Sequence, residues 1–212
     1  MSACVRKLLL LPLLYLCFFT TPAAALGFES FECISDNDAG DCAIGTAQLS
    51  MTIVETGRGI LLTVSMIGPA DGVISQIFIE SGLVSEIKFD RLEGSVGTGS
   101  VAFAAVGDDG GNLPGGNPIG FEEAVNIRTD NPGPLWGIGR HPQDDVSGQS
   151  AEFLLVLIGG TFAELVADLR IGVHVIGYQS GGSESFVAIP VPEPSTLALL
   201  FGGLLGLAAL RR

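Results

Sequence analysis

Two cysteines bracket the most chemically loaded stretch of the chain, Cys33-Ile34-Ser35-Asp36-Asn37-Asp38-Ala39-Gly40-Asp41-Cys42. Two thiols this close in an oxidising compartment read as a disulfide, and the short loop limits its stabilisation to about 3 kcal/mol. The rival is a metal held by both thiolates. It needs further Cys or His ligands, and the neighbouring sequence offers none. Asp36, Asp38 and Asp41, with Asn37 and Gly40, carry the oxygen ligands that Ca²⁺ takes. The spacing begins like an EF-hand loop, but the twelfth position is Ala47, where that loop needs a glutamate. The competing reading is a polar turn, for which Asp, Asn and Gly are ordinary material, and the spacing favours it.

Catalytic constellations are hard to find. His141 precedes Pro142 in a loop and His174 alternates outward on a strand, and two separated histidines do not make a zinc site. No G-x-S-x-G elbow is present. Ser183 lies in a turn with no histidine to pair with. The glycines of GDDGGNLPGG lack the following Lys and helix of a phosphate loop. Adjacent acids at Asp108-Asp109, Glu122-Glu123 and Asp144-Asp145 have the residue type of glycosidase carboxylates, but such pairs are common on acidic surfaces. Trp136, the single tryptophan, either stacks on a sugar ring or plugs its loop onto the core. The reading is a non-enzymatic chain.

The elements that must position these residues are mostly strands. Ala47 to Val54 alternates, with Leu49, Met51 and Ile53 facing opposite to Gln48, Ser50 and Thr52. Thr56-Gly57-Arg58-Gly59 turns into Ile60 to Met66, where Leu62, Val64 and Met66 point inward, giving a hairpin. Gly68 to Gly72 is the next turn. Val73 to Ile79, Val84 to Phe89 and Val101 to Val106 are further strands. Gly107 to Gly120 and Asn131 to Gly148 read as long Gly/Pro-rich loops. Ala151 to Ile158 is apolar apart from Glu152 and is read as a central strand. Thr161 and Glu164 fit a capping box, and Phe162, Leu165, Val166 and Leu169 form the stripe of the one helix expected. Ile171 to Tyr178 and Glu184 to Ile189 complete the strands. Short strands with regular turn signals and no internal repeat predict a mainly β fold, an antiparallel β-sandwich with one short helix.

Both ends of the chain are apolar and account for much of its 47% hydrophobic content. Arg6-Lys7, the run Leu8 to Phe19 and Ala23-Ala24-Ala25 have the order of a secretory signal peptide, residues 1–25, cleaved after Ala25. Residues 26–189 are the expected ectodomain. Residues 26–191 hold six basic side chains (Arg58, Lys88, Arg91, Arg128, Arg140 and Arg170) against 22 Asp and Glu. A polyanion needs a basic face, so nucleic acid is excluded as a partner. At the other end, Leu197 to Leu210 is uncharged and long enough for about 21 Å of helix. That is short for a permanent span of a bilayer core of about 30 Å. Arg211 and Arg212 resist translocation and hold the end inside the cell.

Residues 190–212 taken together, Pro192-Glu193-Pro194-Ser195, then the helix Thr196 to Leu210, then Arg211-Arg212, resemble the PEP-CTERM sorting signal. The region is also labelled an ice-binding-protein C-terminal domain, a label that carries no ice-binding meaning. The resemblance implies recognition by exosortase, a membrane-embedded cysteine protease that cuts near the motif. It implies transient residence in the inner membrane, then release to the cell surface or the extracellular medium, in bacteria that make extracellular polysaccharide. The ectodomain is similar to a group of PEP-CTERM proteins sharing CISDNDAGDCAIG and LRIGVHVIGYQSGGSESFV, a group that implies no activity. The expected function is a structural or adhesive surface protein. The alternative is a binding module for calcium or extracellular polysaccharide.

Overall fold

A computed structural model describes residues 25–28, 30–57, 59–93, 103–106, 112–129, 137–140 and 149–188. The signal-peptide segment before Ala25, Asp108-Asp109, Asp144-Asp145, Trp136, His141 and the whole sorting tail lie outside the described residues. The molecule is the expected sandwich of two antiparallel sheets. One runs β1 (Ala25–Phe28), β3 (Leu49–Thr56), β4 (Gly59–Met66), β10 (Gln149–Leu157), β6 (Val84–Glu93). The other runs β2 (Phe31–Cys33), β12 (Ser183–Ala188), β11 (Arg170–Ile176), β5 (Gly72–Glu80), β8 (Val125–Thr129), β7 (Phe103–Val106). The short β9 (Ile138–Arg140) pairs with β5 beside β8.

Alternation decides which side chains face inward, because successive residues of a strand point to opposite faces. Met51, Ile53, Leu62, Val64 and Phe153 from the first sheet meet Ile74, Ile77, Ile79, Val173 and Phe186 from the second in one core cluster. The hairpin at Thr56 closes with Thr56 directly opposite Gly59. The apolar strand β10 is central, hydrogen-bonded to β4 on one side and β6 on the other. The predicted capping box is present: Thr161 N–H donates to Glu164 at 2.7 Å and Glu164 N–H donates back to the Thr161 hydroxyl at 3.3 Å. It opens the helix Phe162–Asp168, whose Leu165 is buried in the core.

Two expectations are corrected. The segment read as a polar turn running into a strand from Ala47 is a helix, α1 (Ala39–Gln48), so the fold holds two α-helices rather than one; Phe162–Asp168 is α2. β3 starts at Leu49. Gln48 does not face outward from a strand: it ends α1, buried, with its amide bridging the β4–β5 crossover through Ala70 N–H (2.9 Å) and Ala70 C=O (3.2 Å). The 131–148 segment is not all loop, since it contains β9. Gly137 and Gly139 let that strand lie on β5: a Cβ at Gly137 would stand 2.2 Å from the Ile74 carbonyl oxygen, and Gly139 has φ +140°. These glycines serve close backbone approach, which glycine alone permits.

Helix α1 seats on the core through Gly45. A Cβ there would meet Phe186 Cζ at 2.1 Å, and Phe186 is fully buried. Gly45→Ala therefore sets this clash against helix propensity, which favours alanine by about 1 kcal/mol. Overpacking costs typically about 1–3 kcal/mol. Urea melts should show Gly45→Ala less stable than wild type, whereas a gain in stability would mean that α1 does not press on Phe186.

The disulfide and the buried carboxylate as a candidate site

The sequence gathers potential ligands around Cys33 and Cys42, and the fold adds Glu184 from the far end of the chain. Cys33 ends β2 and Cys42 sits in α1; their sulfurs form a disulfide with Cα atoms 5.6 Å apart. Helix α1 starts here because Asp38 caps it. Its carboxylate accepts from Gly40 N–H at 2.8 Å and Asp41 N–H at 3.0 Å, two of the amides that a helix leaves without partners. Asp36 takes a left-handed φ of 46°, which aspartate tolerates better than most residues.

Glu184 is fully buried and lies opposite Val175 in the β11–β12 ladder, so it points to the core side of the sheet. Its charge is met by donors from the 33–38 segment. Oε1 accepts from Asp38 N–H at 2.7 Å. Oε2 accepts from Asn37 N–H at 3.1 Å and from the Ser35 hydroxyl. Ser35 Oγ in turn accepts from Ser185 N–H at 2.7 Å. Hydrogen bonds to a charged acceptor are about twice as strong as neutral ones, and here they offset the desolvation of a buried ion. Asp41, also buried, accepts from the Ser180 hydroxyl.

The three predicted calcium ligands thus have separate tasks. Asp38 caps the helix, Asp41 binds Ser180, and Asp36 Oδ1 lies 3.9 Å from Cys42 Sγ. Among the described residues, the potential ligands that do converge, within 4.8 Å of one another, are Cys33, Cys42 and Glu184. Sequence reasoning missed Glu184 because it is distant in the chain and sits at a core-facing position where pattern predicts an apolar residue. Both sulfurs are committed to each other, so neither is the thiolate a metal requires.

A second arrangement resembles a catalytic pair. His174 Nδ1 lies 3.0 Å from Ser185 Oγ, where β11 and β12 place the two residues opposite each other. The serine has no exposure to solvent. Glu184, its neighbour in sequence, points to the other face of the strand, so no triad forms. Burial lowers the His174 pKa, and the negative charge of Glu184 opposes this in part. Burial likewise raises the Tyr178 pKa, with Asp41 and Glu184 adding to the effect. A cleft of about 390 Å³ lies between the β3–β4 hairpin, β10 and the start of α2. Among the described residues, Glu55 is the one ionisable side chain lining it.

The fold and site define an antiparallel β-sandwich ectodomain whose closing strand is locked by a buried carboxylate beside a disulfide. Residues 190–212 match the family of the PEP-CTERM protein-sorting motif. The chain therefore carries the sorting signal of exported proteins processed by exosortase, which are held in the membrane transiently through this tail. The match begins two residues after β12 ends. No curated protein matches the chain, and no solved structure matches it. Among the described residues no helix is long and apolar enough to cross a membrane.

Two measurements test the site. In Glu184→Gln the side chain keeps its shape but turns an NH₂ toward backbone donors. An unmatched buried donor costs about 1–3 kcal/mol, and the loss should appear as a lower urea midpoint with an unchanged slope. A midpoint equal to wild type would show that the carboxylate is not holding the segment. The second concerns His174. Its folded-state pKa lies below the ordinary value of about 6.5, so the unfolded chain takes up its proton first. Its contribution is complete above that value and is lost as pH falls from there through the lowered folded pKa. The stability of wild type relative to His174→Asn should accordingly shrink as pH falls below about 6.5, and a constant difference would contradict the burial effect.

Proposed function

We propose that this protein is a non-catalytic structural or adhesive component of the cell surface or extracellular matrix, delivered there after exosortase removes its tail. The observation that carries the reading is the sorting motif at residues 190–212, immediately after a last strand that is fully integrated in the sandwich. Cutting near Pro192-Glu193-Pro194 leaves β12, its disulfide-tied neighbour β2 and the Glu184 contacts intact. The polar side chains of the candidate site support a structural role, since they are spent on internal bonds. Ser185, the one described serine paired with a histidine ring, is shut from any substrate.

The test is to fractionate cells and compare wild type with Glu193→Ala by mass. Wild type should yield a mature species without the tail in the surface or matrix fraction. Glu193→Ala should accumulate uncut in the inner membrane, while replacement of Arg211 and Arg212 should weaken retention before processing. Release of the same tail-free species from wild type and Glu193→Ala would sink the proposal.

A further inference from the structure

On the outer face of the second sheet three oxygen acceptors are shut from water with no protein donor: Glu80 Oε2, Glu123 Oε2 and Asn126 Oδ1. Their residues are neighbours by register. Phe78 lies opposite Asn126 and Ile79 opposite Val125, and Ala124 N–H donates to the Ile79 carbonyl at 2.8 Å. Glu80 therefore shares a face with Asn126, one diagonal step away, a distance of about 7–8 Å that a long side chain crosses. Glu123 comes to the same place, because Asn126 Nδ2 donates to its Oε1 at 3.4 Å. Asn126 itself is only 2% exposed.

The surroundings leave these oxygens unmatched. Arg170, opposite Glu80 on β11, spends Nη2 on Glu80 Oε1 at 2.6 Å and on the Gly120 carbonyl at 2.6 Å, and Nη1 on the Ile119 carbonyl at 3.3 Å. Its guanidinium lies over the Phe121 ring, 5.4 Å from the centroid. Phe121 and Leu113 pack against Phe78 and Val187, so the 112–124 segment covers this part of the sheet. Buried acceptors without donors are costly and uncommon in folded proteins, and three on neighbouring residues of one face call for a positive partner.

We propose that Glu80, Glu123 and Asn126 form the protein side of a calcium site that pins the 112–124 segment to the outer face of the sheet. The donor set is all oxygen, two carboxylates and an amide carbonyl. That suits a hard cation of flexible geometry and gives zinc or copper no nitrogen or sulfur. Water supplies the remaining positions. Glu80 and Glu123 beside Arg170 leave a single net negative charge, with Arg128 two residues from Asn126 on the same face, which fits a weak site of the extracellular kind, with a Kd of about 10⁻⁴–10⁻³ M. The site is separate from Asp36, Asp38 and Asp41.

The experiment titrates CaCl₂ into chelator-treated full-length protein in detergent, read by calorimetry and by melting temperature. One calcium should bind and the melting temperature should rise, because a ligand of the folded state stabilises it. Glu123→Gln keeps the Arg170–Glu80 pair and should lose both responses. Asn126→Asp adds a charge and should bind calcium more tightly, while melting lower than wild type in chelator. No calcium response in wild type would overturn the proposal. So would a response that survives Glu123→Gln but vanishes in Asp38→Asn, which would send the ion to the acidic segment instead. If Glu123→Gln raises the melting temperature and calcium has no effect on wild type, the orphaned oxygens are matched by a proton on Glu123 and the cation site is wrong.

Discussion

A single buried carboxylate joins the two ends of this ectodomain. Glu184 enters on the last strand, and its oxygens are held by Ser35, Asn37 and Asp38, about 150 residues earlier. Without those donors a charge would lie on the core face of β12 at a cost of several kcal/mol. Without the charge, two backbone amides would be left unmatched where the chain leaves β2 and prepares to start α1. The disulfide acts on the same junction from the other side, fixing the end of β2 to α1. Helix α1 then rests its Gly45 on Phe186, two residues beyond Glu184. Capping, cross-link, helix seat and last strand thus all meet around one polar contact.

This arrangement bears on sorting. The C-terminal strand is bordered on both sides, by β2 and by β11, so the tail leaves from a fixed point. Four residue steps separate Ala188 from Pro192, which can span at most about 14 Å. Any protease acting on the motif must work close against the folded sandwich. The acidic chain, with its many carboxylates, also repels like-charged neighbours.

The larger part of the fold was legible because alternation is simple where one face is buried. Leu49, Met51, Ile53, Leu62, Val64 and Met66 are all buried as the pattern requires, and β10, whose run Phe153 to Leu157 is wholly apolar, is central. The capping box at Thr161 was legible because it is local. Helix α1 was not. Its buried positions have helical spacing, but they are Asp41, Cys42, Gly45 and Gln48, types that no hydrophobic pattern registers. The signal that would have found it is Asp38 as an N-cap ahead of Asp41 in the first turn. β9 was hidden by Gly137 and Gly139, which read as turn residues and are in fact the places where two backbones touch. The cysteine pair was legible, but its carboxylate partner was not, since nothing local marks Glu184 as a core-facing charge.

The central claim is that Glu184 holds the 35–38 segment as firmly as the sheet itself, and native-state hydrogen exchange tests it directly. The amides of Asn37 and Asp38 lie outside any helix or strand, so loop behaviour would give fast exchange. With both donating to a buried carboxylate, they should exchange as slowly as the amides of the β11–β12 ladder and open only in the same unfolding event. Exchange at loop rates, while the ladder stays protected, would contradict the account.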